Sequence, residues 1–442
     1  MITCILNMGI LTLGFLEAIW GVLQMCGVIN SDHMRYSVTG TFYNPGPYGC
    51  MLGAILPLAV YLYLKIKKRS LKQVCMVYFL LSALLLPGCM SRTGWIAAIV
   101  GSAVALTGIY LPKLHTIGTR KLIVAVAVAV VATVAVGYGS YRLKPDSADG
   151  RLLTWKIAAD GAASLPLSGA GWENVAGVYG DAQERYFSSA EATDRERMVA
   201  GAPMYVFNEY IQIAIAFGVP AAATFTLLMA VALALYWRNG SYGIAGTVVA
   251  VGICCMASYP FQFMSFKLLT SILIVVSFLT MRRRRNGIAA SMICCLGAVL
   301  FCTHTPQIDV QDEFRTATML KKEGLHRKSN NMLFELLPRT ADPMPLNIIG
   351  LNYQAMGMRD SAAFYFHRAA LRVPNRMFPH YLLMRLHFET EADRELAEKE
   401  ARLLLDMIPK VDSPATITMK KEAELTLDSL ARVKEFQLSE KR

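Results

Sequence analysis

The sequence predicts an all-α protein, with a polytopic membrane part of about nine spanning helices over residues 1–303 and a helical-repeat part over 304–442. Three observations carry this. Hydrophobic residues make up 54% of the 442 and the mean hydropathy is +0.39, so a single soluble globule would leave too much apolar surface in water. Apolar stretches long enough to cross a bilayer recur as far as residue 303. Past about residue 304 charged residues interleave with apolar ones at helical spacing, and the pattern repeats.

The expected spans are 2–29, 48–64, 73–90, 93–111, 122–140, 204–236, 243–259, 262–280 and 288–303. Four basic clusters orient them: Lys65 to Arg69, Lys113 with Arg120-Lys121, Trp237-Arg238, and Arg282 to Arg285. All four fall on one side when nine helices alternate, and the retention of Lys and Arg in the cytoplasm makes that side the inside. The loop 30–47, the turn at Ser91-Arg92, the long loop 141–203 and everything after 304 then lie outside. Within the long loop, 180–198 reads as a charged amphipathic helix or lid. The "GAG" at 169–171 lacks the third glycine and the strand of a dinucleotide fingerprint.

The net charge of +12 is unevenly placed: up to residue 303, 23 basic residues face 12 acidic ones, against 21 and 20 beyond. Basic residues at the ends of apolar segments are topology signals, which argues against a nucleic-acid partner. None of the ten cysteines falls in the C-terminal 140 residues, so neither a disulfide framework nor a zinc site is expected. The first apolar stretch lacks the basic start and small-residue cleavage site of a signal peptide.

In the C-terminal part Pro338, Pro374 and Pro409 stand 36 and 35 residues apart, each closing a helical run, and Gly324 and Gly357 mark turns inside two of the units. A period near 34 with paired helices resembles tetratricopeptide repeats, about three of them, with Leu425 to Phe436 as a capping helix. Such a solenoid would offer a docking surface to a protein partner.

Arginines on the outer side are exceptions to the charge rule and therefore informative. Arg35, Arg92 and Arg151 all lie close to the expected lipid boundary. Arg92, in "CMSRTGWIAAIV", sits between two helices, where a guanidinium is costly unless it faces a polar cavity or an anion. Its planar fork grips two phosphate oxygens and stays charged at any relevant pH.

"RYSVTGTFYNPGPYG" (35–49), "SRTGWIA" (91–97), "GRLLTWKIAADGAASLPLSGAGWENV" (150–175) and "FNEYIQIAIAFGVP" (207–220) resemble, in order and spacing, signatures of the O-antigen ligase and polymerase family. The resemblance implies a GT-C-like transferase of the bacterial inner membrane, working on the periplasmic face. It would move a glycan from undecaprenyl diphosphate onto a lipid A core, a protein or a growing chain, with no cofactor and no metal. It assigns the carrier's diphosphate to Arg92 and Arg151, with Arg35 as a third, and places Asn44, Asn208 and Tyr210 at the substrate. Ligases of the family carry a His before the Asn of the last motif. Here Phe207 precedes Asn208, and the later Glu of that motif reads Ala216, so Glu209 is next in line as the base for the acceptor hydroxyl. Family members have more membrane helices than nine, which points to a longer parent chain.

Smaller expectations concern Tyr43, Asn44 and Tyr48 around "NPGP", a stretch expected to break helix and enter the membrane mouth as an irregular turn. Asn44 suits turn formation as well as substrate contact. His33 could substitute as a base. Glu17 and Lys267 lie at membrane depth and suit interhelical pairing. Ligase and polymerase both stay open, as do a lipid-glycan transporter and a non-catalytic anchor displaying a docking module.

Overall fold

The computed structural model describes residues 2–114, 139, 142, 145–189, 191–281, 284–303, 310–409 and 412–440. Every regular element among them is helical. The chain forms two compact units. The first takes Met1–Lys144, Phe207–Ile213 and Pro220–Thr305; the second takes Pro145–Val206, Ala214–Val219 and Pro306–Arg442.

In the first unit four helices follow one another: α1 (Ile2–Met25), α2 (Pro45–Lys65), α3 (Arg69–Cys89) and α4 (Arg92–Leu114). Among the described residues five helices are long and apolar enough to cross a membrane, these four and the helix Val219–Arg238; Tyr242–Ala257, Met264–Leu279 and Asn286–Gly297 are shorter apolar helices. The expected span 122–140, residue 139 apart, lies outside the described residues, as do Arg120-Lys121 and Arg282-Arg283.

The helix α2 is the centre of this unit, 78% buried over its apolar window against 17% for Val219–Arg238, whose surface is left for lipid. Glycine explains how closely α2 can be packed. A Cβ on Gly94 of α4 would stand 2.3 Å from the Gly49 carbonyl oxygen, and one on Gly53 would stand 2.2 Å from the Gly94 oxygen. Backbone contact of this kind is how membrane helices associate where lipid removes the hydrophobic drive. Gly94→Val would have to push α2 and α4 apart, an overpacking cost of about 1–3 kcal/mol or more. The expected outcome is a sharp fall in monodisperse, detergent-extracted protein on size-exclusion chromatography.

Two expectations about the chain path need correction. "NPGP" begins a helix rather than breaking one: Asn44 caps α2, its Oδ1 accepting the Gly46 N–H at 2.9 Å, and Pro45 takes the first turn, where its missing N–H costs nothing. The segment 204–236 is not one span. Its ordered part is a short helix α8 (Glu209–Phe217), then Gly218 at φ +89°, then α9 (Val219–Arg238). Gly218 takes a left-handed conformation that ends α8, and Pro220 sits in the first turn of α9, where its missing N–H costs nothing. The helices α10 (Tyr242–Ala257), α11 (Met264–Leu279) and α12 (Arg284–Thr303) complete the unit.

The second unit contains α5 (Pro145–Ala163), α6 (Val175–Ser188) and α7 (Asp194–Val199). The expected single helix over 180–198 is thus two, because Thr193 starts a new one with a capping box closed by Glu196. Burial works against the charged form of Glu196. The Thr193 N–H and hydroxyl, the Tyr186 hydroxyl and Lys156 outweigh it and hold the carboxyl down at about 2. A carboxyl depressed on folding adds stability that is full above its ordinary 4.5 and is lost as pH falls through about 2. Glu196→Gln should therefore speed amide hydrogen exchange over 191–199 at pH 7, and match the native chain at pH 2.

Helical hairpins follow: α13 (Val310–Lys322) with α14 (His326–Leu336), α15 (Met344–Ala355) with α16 (Arg359–Arg372), and α17 (Met377–Phe388) with α18 (Arg394–Asp406), then α19 (Pro414–Glu440). Gly324 and Gly357 turn the first two at φ +76° and +77°. Each hairpin shares a core with the next. Ala317, Leu333 and Leu336 meet Ile348 and Ile349; Ala362 and Phe366 meet Leu382, Leu383 and Leu386; Met377, Met384, Ala401 and Leu404 meet Ala423. The expected closing helix 425–436 is the middle of the longer α19.

Candidate functional site

One end of the first unit gathers most of the residues singled out from sequence. The helix α4 starts at Arg92, half-buried, with Ser91 and Thr93 fixing the start on either side. Ser91 Oγ donates to the Gly46 carbonyl at 2.9 Å, tying it to the capped start of α2 at Asn44. Thr93 Oγ1 donates to the Ala257 carbonyl at 3.2 Å, tying it to the end of α10. Arg92 therefore adds its charge to the positive end of a helix dipole, an arrangement that favours an anion.

The turn 39–43 packs beside this end, and α1 holds it. The amide oxygen of Gln24 accepts the Thr39 and Gly40 N–H groups at 2.9 and 2.8 Å. Glu17 accepts the Thr41 hydroxyl at 2.7 Å and its N–H at 3.3 Å. Glu17 thus serves a turn rather than a facing helix. The Phe42 ring is fully buried against Phe263 at 4.9 Å. Arg35 is exposed further out, with its N–H on His33 Nδ1 at 3.1 Å.

The start of α8 belongs to the same end. Asn208 is buried and caps the helix, its Oδ1 accepting the Tyr210 and Ile211 N–H groups at 3.0 and 3.2 Å. Glu209 is fully buried; its Oε1 accepts the Phe261 N–H at 2.7 Å, while Oε2 accepts no hydrogen bond among the described residues. The charge of Lys267, also buried, acts on it. Tyr210 turns its hydroxyl to the Gly252 carbonyl at 3.3 Å and its ring to Phe225. Phe207, which occupies the position of the expected His, sits at φ +53° with its ring edge-on to Tyr259 at 5.4 Å. A bulky side chain in the left-handed region is strained, and such strain collects at functional places.

Arg151 lies in the second unit, half-buried on α5, two and five residues after Asp149 and Asp146, with which Arg195 pairs at 2.8 and 2.7 Å. The glycines at 169 and 171 serve the chain path there. The Gly171 N–H donates to the Ala216 carbonyl at 2.9 Å, and a Cβ on Gly169 would stand 2.6 Å from the Ala216 backbone.

Asn44, Arg92, Asn208 and Glu209 are thus brought to one end of one unit, whereas Arg35 stands exposed in the loop and Tyr210 faces inward. Residues 76–226 match the family model of O-antigen ligase. No curated protein and no solved structure matches the chain. The O-antigen ligase match takes in Arg92, Arg151, Asn208, Glu209 and Tyr210, and stops short of Arg35, Asn44 and the C-terminal hairpins. Sequence reading missed Gln24, Ser91 and Thr93. The one signal for Gln24 was a primary amide inside an apolar helix, where an unsatisfied polar group is costly.

Proposed function

We propose that the chain is a glycan transferase of the bacterial inner membrane, with nine spans, an outer catalytic face, and a periplasmic C-terminal domain of tetratricopeptide-like hairpins. The donor is a glycan on undecaprenyl diphosphate. An acceptor hydroxyl on lipid A core, protein or a growing chain attacks the anomeric carbon as the bond to the diphosphate oxygen breaks. The electron pair goes to the diphosphate, and the hydroxyl proton goes to a base.

The observation that carries this reading is Arg92 at the start of α4, inside the O-antigen ligase match and beside the capped starts of α2 and α8. Fixed cations in a water-poor site stabilise charge developing on the leaving diphosphate without reorganising during the reaction. Arg92 and Arg151 are assigned to that charge, Arg35 to the outer approach of the carrier, and Asn44, Asn208 and Tyr210 to the walls of the site. Glu209, whose Oε2 accepts no hydrogen bond among the described residues, is assigned as the base. Ligation is preferred to polymerisation because a soluble repeat domain suits a partner or acceptor outside the lipid.

Deleting the gene from its host and comparing surface glycans with lipid-linked precursors tests the reading. Full-length glycan stranded on the lipid carrier is the result expected of a ligase. Single repeat units on the final acceptor would mean a polymerase, and unchanged pools would favour the anchor or transporter.

A further inference from the structure

The second unit contains a charge lock between the C-terminal hairpins and α6, built around a buried arginine. Arg372, at the end of α16, is fully buried. Its Nη2 donates to Asp181 Oδ1 at 2.5 Å, its Nε to Glu184 Oε1 at 2.6 Å and its Nη1 to the Thr340 carbonyl at 3.2 Å. One turn earlier Arg368 Nε donates to Glu184 Oε2 at 2.8 Å. Just beyond the helix Asn375 Nδ2 reaches the carbonyls of Arg197, Met198 and Ala200 at 3.2, 2.8 and 2.6 Å. The Gln183 amide donates to the Arg372 carbonyl. Room for this is made by Gly177 and Gly180: a Cβ on the first would stand 2.0 Å from the Pro338 oxygen, and one on the second 3.1 Å from the Arg372 guanidinium carbon.

From there the contacts lead by two routes to α5, the helix that carries Arg151. The helix α6, which carries Asp181 and Glu184, lies on α5 where Gly161 faces Ala182 and Val178. The helix α7, whose end Asn375 holds, binds the first turns of α5 through Arg195 on Asp146 and Asp149, and through Glu196 on Lys156 at 3.1 Å. Buried ion pairs seldom exceed apolar packing in stability, and their best-attested use is to specify one register. Here two carboxylates on α6, Glu184 largely buried and Asp181 exposed, read two guanidiniums on α16, of which Arg372 is fully buried.

We propose that Arg372 is a positioning residue, seconded by Arg368 and Asn375: the hairpins hold α5 so that Arg151 meets its anion. This rests on the reading of Arg151 as a diphosphate ligand. The hairpins then serve the reaction as a strut as well as any docking surface.

The test uses the full chain in nanodiscs with a polyprenyl-diphosphate glycan donor, comparing Arg372→Ala, Arg151→Ala and the double variant by kcat and donor KM. Arg372→Ala should raise donor KM about tenfold, Arg372→Lys should recover only part of that, and the double variant should be no worse than Arg151→Ala alone, because residues acting through one group are not additive. Losses that multiply, or an unchanged KM in Arg372→Ala beside an impaired Arg151→Ala, would overturn the strut while leaving the diphosphate reading intact. Full activity in Arg151→Ala would overturn both. Should Arg372→Ala fail to fold, Asn375→Ala, which removes only the three carbonyl contacts, is read in the same cycle.

Discussion

Arg92→Ala should insert and extract like the native chain but transfer no measurable glycan. The start of α4 is fixed by Ser91 on Gly46 and Thr93 on Ala257, and the body by the Gly53 and Gly94 contact. Removing the guanidinium leaves those bonds in place. On the proposed mechanism what is lost is a charge aimed at a leaving group, and loss of one such donor costs about a hundredfold to a thousandfold in rate. Arg92→Lys should recover little, since an ammonium cannot present two parallel donors to a diphosphate. The measurement is turnover of purified protein at matched yield and thermal midpoint. Native turnover in Arg92→Ala would remove the arginine from the mechanism.

Glu209→Gln is the second large effect, about a hundredfold to ten-thousandfold in kcat, the range of a lost general base. The substitution separates the two jobs this side chain can have. A Gln oxygen can still accept the Phe261 N–H that Oε1 accepts at 2.7 Å, so the 260–262 turn survives. The basic Oε2 does not survive. Glu209→Ala removes both and should also lower the yield of folded protein, because the buried Phe261 N–H and the buried Lys267 charge lose a partner. Normal turnover by the Gln variant would make Glu209 a structural residue, and the base would then have to be sought elsewhere on the outer face.

Much of the membrane part was legible because lipid imposes a simple rule, a long apolar run for each crossing, and helices α1 to α4 fall within a few residues of the runs that announce them. The short helix before Gly218 was not, since "EYIQIAIAF" is as apolar as the span that follows and only the glycine's left-handed backbone separates them. "NPGP" was misread for a related reason: proline breaks a helix interior but suits a first turn, and which applies depends on whether Asn44 caps. The arginines stood out as charges on the wrong side of a pattern. The polar residues that support them did not, because Gln24, Ser91 and Thr93 matter through partners 15 to 164 residues away. The pairing of Arg372 with Asp181 and Glu184 spans 191 and 188 residues and has no local signal.

Whether outer-face arginines hold a diphosphate leaving group, as proposed, is decided with purified full chain in nanodiscs, a polyprenyl-diphosphate glycan and an acceptor glycolipid, measuring the polyprenyl diphosphate set free. One diphosphate should be released for each glycan joined, with release abolished in Arg92→Ala. Glycan that crosses the bilayer while still attached to its carrier, with no diphosphate released, would contradict it.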